Sequence, residues 1–179
     1  MVERDWLASL HPLSMLEHLA GAASARDRKL RLFACACCRR MWDLLHHAAC
    51  RKAVDIAEKF ADGKAEREAM AIASALAYTD DVDFACIAAF HASSTDYAPY
   101  ELARFACENA AAAAEVAQLE IVDLSDGQSP EAYADAFAAE PAAQADLLRD
   151  IFNPFHKSNR SGLVELEKRA CVEACRRDL

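Results

Sequence analysis

The sequence predicts an all-α fold: a single-domain multi-helix bundle of about eight or nine helices around one central buried helix at about 26–46. Three observations predict it. Alanine fills 41 of the 179 positions, and alanine is the strongest helix former and lets helices pack closely. Only four glycines and five prolines occur. Gly21, Gly63 and Gly127 fall between helical patterns and Gly162 in a loop, while Pro12, Pro99, Pro130 and Pro141 sit where helical patterns begin. No segment alternates apolar and polar residues with the period of two that a half-buried strand requires.

The central stretch, Asp27 to Leu45, carries three of the eight cysteines and one of the two tryptophans. At the helical step of 100° per residue, Leu30, Phe33, Ala34, Cys37, Met41, Leu44 and Leu45 fall within an arc of about 120°. Cys35, Cys38 and Trp42 extend the arc on one side, and Lys29, Arg39, Arg40 and Asp43 lie opposite. A helix buried over more than half its girth needs several others around it. Replacing Phe33 or Leu44 by Ala is therefore expected to cost about 2–5 kcal/mol.

The remaining elements follow the same periodicity. A short helix is expected at about 12–20, with Trp6 and Leu7 packed before it. One at about 49–61 buries Ala53, Ile56, Ala57 and Phe60 and stops at Gly63, and another at about 64–77 turns Met70, Ala73 and Ala77 inward. Thr79 is placed to cap a helix at about 80–92, whose first turn holds Asp80, Asp81 and Asp83 near the positive helix end. Pro99 opens an alanine-rich helix to about 119, and 121–129 reads as a loop. Helices at about 130–139 and 141–152 are split at Pro141. A basic loop at 156–162 leads to a last helix at about 163–177. Residues 1–155 thus form a helical core domain, and 156–179 a basic loop and C-terminal helix packed on it. Phe-Ala-Cys recurs at 33–35, 84–86 and 105–107 without a fixed period, so no solenoid is indicated.

A chain this long buries roughly 70% of its unfolded surface and needs no disulfide to fold. The net charge of −9 argues against a general nucleic-acid binder, which needs a positive face. No apolar run reaches the length of a membrane-spanning helix, and MVERDWLASLH lacks the features of a signal peptide. A cytoplasmic location is expected, with the cysteines as reduced thiols.

Four clusters could carry chemistry. Cys35 and Cys38 share one side of the central helix, and Cys171 and Cys175 share a side of the last one. Facing each other, the two pairs would offer four thiolates to a tetrahedral zinc. As small buried apolar residues, they need no metal. A second cluster, Asp43, His46, His47 and Cys50, has ligand types in close sequence, but a helix end near 46 breaks its geometry. Cys50 beside His46 and His47 is also the only sequence-local candidate for an activated thiol. Third, Arg26, Arg28, Lys29, Arg31, Arg39, Arg40, Arg51 and Lys52 form the positive region. Its partner-binding candidates are Arg28, Arg31, Arg39 and Arg40, facing an acidic protein or a phosphate backbone. Pairing with local acids such as Asp27 and Asp43 is the simpler use of the same charges. Fourth, Leu147–Phe155 contains Asn-Pro-Phe, a eukaryotic adaptor signal, but reads better as a helix stop whose Phe152 and Phe155 plug the core. The sequence contains no phosphate loop, dinucleotide-binding turn, His-Glu-x-x-His or nucleophile elbow.

The blocks WL…MLEHL, DRKLRLFACACCRRMW, RKAVDIAEKFADG and QADLLRDIFNPF, in this order from Trp6 to Phe155, resemble an uncharacterised family of bacterial cytosolic helical proteins. The resemblance implies an α-helical fold and no assigned activity, and it ends before the Cys171/Cys175 helix. The sequence therefore leads to a non-enzymatic protein–protein interaction module or accessory subunit of a bacterial assembly, with no cofactor required. Cysteine-based zinc or thiol-redox chemistry is the alternative, and nucleic-acid contact through the basic face of the central helix a further one.

Overall fold

The structure is a computed structural model that describes residues 1–20, 27–78, 83–123 and 130–152. Among these residues there are eight α-helices, one 3-10 turn and no strand. The helices are α1 (Glu3–Ala8), α2 (Pro12–Ala20), α3 (Asp27–Arg40), α4 (Ala48–Ala61), α5 (Arg67–Ala77), α6 (Phe84–Ser93), α7 (Pro99–Asp123) and α8 (Pro130–Ile151). The all-α prediction therefore holds. The basic loop, the last helix, Phe155, Cys171, Cys175, Thr79, Asp80 and Asp81 lie outside the described residues.

Helix α3 is the packing axis. It touches α4, α6, α7 and α8, and its residues Phe33 through Cys38 are all buried. It ends at Arg40, six residues earlier than the periodicity predicts, and a 3-10 turn at Trp42–Leu44 follows. Tertiary contacts explain the early stop. The Trp42 ring lies 4.1 Å from the Arg39 guanidinium and 5.5 Å from that of Arg51. Arg51 also donates to the Trp42 carbonyl at 3.2 Å. Cation–π contact and this hydrogen bond draw the chain out of the helical path, while Met41 and Leu45 stay buried.

A second axis was not evident from periodicity. Helix α6 is apolar around most of its girth, as expected of a helix enclosed by several others, and it packs on α3, α4, α5 and α7. Ala85, Ala88, Ala89 and Ala92 line it, and all are buried. It starts at Phe84, later than predicted, because the Asp83 carboxylate accepts from the Ala85 and Cys86 N–H groups at 2.9 and 3.3 Å. That cap satisfies two donors that a helix start leaves without partners.

Pro12, Pro99 and Pro130 open helices as expected. Pro141 instead lies inside α8, which runs through the predicted split. Proline removes one helical hydrogen bond, but Gln144, Ala145, Leu147, Leu148 and Ile151 in the following turns are buried, and that burial outweighs the loss. Helix α7 continues to Asp123, into the predicted loop. Residues near the N-terminus also differ from expectation: Glu3–Ala8 is helical, with Trp6 buried as predicted but Leu7 exposed. Gly63 closes α4 with φ +69°, a left-handed position that suits glycine.

Cationic side chains cap helix ends belonging to other elements. Arg31 donates to the Ala92 and Ser94 carbonyls at the end of α6, at 2.9 and 3.0 Å. Lys29 donates to the Ile151 carbonyl at the end of α8, at 2.8 Å. Arg149 donates to the Trp6 and Ser9 carbonyls at the end of α1, at 3.3 and 2.7 Å. Helix C-termini expose unsatisfied carbonyls and the negative end of the macrodipole, so cations are favoured there.

Candidate functional site

Six residues of the positive region, Arg28, Lys29, Arg31, Arg39, Arg40 and Arg51, have partners within the chain; Lys52 is exposed and Arg26 lies outside the described residues. Arg28 pairs with Asp62 at 3.0 Å. Arg31 is buried, caps α6 and lies 5.4 Å from the Phe60 ring; burial pushes its pKa down, and nearby Asp27 partly restores it. Arg39 grips Glu58 at 2.9 and 2.7 Å and Asp55 at 2.6 Å, and these hydrogen bonds hold its charge more firmly than usual. Arg40 meets Glu140 at 3.1 Å, both side chains being largely buried. The acids that receive these arginines lie on α4, just after it, or on α8, rather than at Asp27 and Asp43. Helix periodicity cannot reveal such pairs, because they join residues 16 to 100 positions apart.

The cysteines of α3 behave as core residues. Cys35, Cys37 and Cys38 are all buried. Burial pushes the Cys37 and Cys38 thiols well above their ordinary pKa, so each stays neutral. Cys107 on α7 donates to Gln144 Oε1 at 2.9 Å, and Gln144 Nε2 donates back to the Cys107 carbonyl at 3.1 Å. This exchange satisfies a fully buried amide between α7 and α8. Of the zinc set predicted at Cys35, Cys38, Cys171 and Cys175, the described residues supply only the first two.

The second predicted cluster divides. Asp43 sits in the 3-10 turn and His46 is exposed before α4, whereas His47 becomes the N-cap of α4 and Cys50 its third residue. These two meet a matching pair that sequence reading did not connect to them. Asp83 is the N-cap of α6 and Cys86 its third residue. One ligand atom each from His47, Asp83 and Cys86 lies within 4.8 Å of the others. The Cys50 and Cys86 sulfurs are 2.7 Å apart, and Cys50 also points at the Ala77 carbonyl, 3.6 Å away at the end of α5. This cluster is compatible with zinc, since sulfur, imidazole and carboxylate are the donors that ion takes. Desolvation is the main cause that raises both thiols above their ordinary pKa, and the Asp83 carboxylate adds to it. The two units share a sequence form, His47-x-x-Cys50 and Asp83-x-x-Cys86. A search for a polar cap followed by cysteine at the third helical position would have found both.

The surface offers a different feature on α5. Met70, Ala73 and Ala77 face inward, as predicted. Its outer face carries Ile72, Leu76 and, just beyond, Tyr78, at 57%, 62% and 64% exposure, with exposed Ala71 and Ala75 between them. Beside it lies an open groove of about 320 Å³ lined by Ala71, Ala75, Tyr78, Phe90 and Asp96 among others. The Tyr78 and Phe90 rings meet edge to face at 5.6 Å.

No protein-family model matches the chain, and neither the curated proteins nor the solved structures contain a match. No helix among the described residues is long and apolar enough to cross a membrane.

Proposed function

We propose that the protein is a non-enzymatic interaction module that receives an amphipathic helix of another protein along α5. The outward apolar face of α5 carries this reading. Ile72 and Leu76 are four residues apart and lie on one side of the helix, and both are more than half exposed. Single exposed apolar residues are ordinary; a row of them on one helix beside a groove is the pattern of helix-in-groove recognition. Small Ala71 and Ala75 let a partner backbone approach closely. The single carboxylate of the groove lining, Asp96, together with the chain's net charge of −9, favours a partner helix with lysine or arginine beside its apolar stripe.

Site-specific photo-crosslinking at Leu76 in the native host tests this. The expected result is one dominant adduct whose linked peptide is helical, apolar on one side and basic beside it. Ile72→Glu and Leu76→Glu should abolish that adduct when the crosslinker is placed at Tyr78, while stability changes by less than about 0.5 kcal/mol. An adduct with a second copy of the chain, with nucleic acid, or with no defined protein overturns the proposal.

A further inference from the structure

We propose that His47, Cys50, Asp83 and Cys86 form a tetrahedral site for one zinc-class divalent cation, which ties the start of α4 to the start of α6. The site is independent of the α5 docking surface. Its basis is a juxtaposition made by the fold. Two helices begin side by side, and each presents a polar cap residue and a cysteine three positions later. Positions three apart lie on the same side of a helix, so each helix offers two donors in one direction. Three donor atoms already lie within 4.8 Å of one another, and the fourth, Cys50 Sγ, is 2.7 Å from Cys86 Sγ.

The donor set suits one class of ion. Two thiolates, one imidazole and one carboxylate make a mixed soft and borderline shell, which favours tetrahedral zinc over magnesium or calcium. Zinc–sulfur bonds of about 2.3 Å place two sulfurs about 3.8 Å apart. The thiols therefore separate by about 1 Å on binding, while the exposed His47 ring swings in. Asp83 keeps its cap, because Oδ1 accepts both N–H groups and leaves Oδ2 for the ion. Those backbone donors hold the carboxylate in orientation, as partners behind a metal ligand commonly do. Both thiols release their protons to solvent on binding, and the charge of the ion stabilises the thiolates that result. Core packing alone accounts for two buried cysteines. It does not account for an exposed histidine and a half-buried aspartate converging on Cys86 Sγ, with the Cys50 thiol lying against that sulfur.

The full chain, stripped with a chelator and kept anaerobic, should be titrated with Zn²⁺ alone and with Co²⁺ alone. One zinc per chain is expected. The Co²⁺ form should show tetrahedral visible bands and a sulfur-to-metal charge-transfer band, the latter falling by about half in Cys86→Ser or Cys50→Ser. His47→Ala removes an exposed side chain, and Asp83→Asn retains the cap, so both should fold. Each should weaken zinc affinity by about tenfold or more. No bound zinc at one equivalent overturns the proposal. So does unchanged affinity in His47→Ala and Asp83→Asn, or a charge-transfer band undiminished in Cys86→Ser, which would place the metal on other sulfurs.

Discussion

Replacing Arg31 by Met decides between two uses of the basic residues on α3. Sequence reading offered this side chain to a partner, whereas the fold buries it, at 8% exposure, as the C-terminal cap of α6. Methionine keeps similar length and apolar contact but removes the guanidinium. Two buried carbonyls, Ala92 and Ser94, then lose their donors, at about 1–3 kcal/mol each. The cation–π contact with Phe60, at 5.4 Å, adds about 0.5–2 kcal/mol. Against these losses, a charge no longer has to be desolvated, the same burial that pushes its pKa down. The net destabilisation is then about 2–4 kcal/mol. A domain of this size loses about 2–4 °C of melting temperature per kcal/mol, so the midpoint should fall by about 4–16 °C. Thermal unfolding followed by circular dichroism measures the midpoint, and urea unfolding the free energy, with an unchanged m value as the check on two-state behaviour. Arg28→Met is the internal comparison. Its pair with Asp62 is partly open to solvent, and after screening it should cost about 1 kcal/mol or less. Equal stability of wild type and Arg31→Met would refute the capping argument.

Two further outcomes follow from burial. Phe33→Ala, at 0% exposure in α3, should cost about 3–5 kcal/mol, whereas half-buried Leu44 should cost only about 1–2 kcal/mol as Ala; the reverse order in urea midpoints would contradict α3 as the axis. His91 on α6 stacks 4.7 Å from Phe105 and 5.6 Å from Tyr97, and its buried Nδ1 has no hydrogen-bond partner among the described residues. Burial lowers its pKa, with Glu108 opposing, so the unfolded chain binds the proton more readily. Its contribution to stability is complete above about pH 6.5 and is lost as pH falls through the lower folded value. His91→Phe should therefore lose less stability than wild type between about pH 7 and about pH 5, and identical slopes would exclude this role.

The sequence by itself determined the fold class, most helix positions and the centrality of Asp27–Arg40. These depend on local propensity and on a periodicity that each helix carries within itself. Gly63, Pro12, Pro99 and Pro130 could be placed because their backbone restrictions act on their immediate neighbours. Errors arose where a distant group changed the local outcome. Arg51 helped end α3 at Arg40 and buried residues carried α8 through Pro141, whereas the start of α6 was set locally by the Asp83 cap. The candidate site was half legible. His47 and Cys50 were noticed together, but with Asp43 and His46, their sequence neighbours. Only the tertiary structure brought Asp83 and Cys86 to them, 36 residues on in each case. It also turned the arginines of α3 inward to Asp62, Glu58, Glu140 and the end of α6. The physical reason is common to both. Ligand sets and buried charge pairs are defined by where helices cross, and a crossing is a property of two segments that neither one encodes alone.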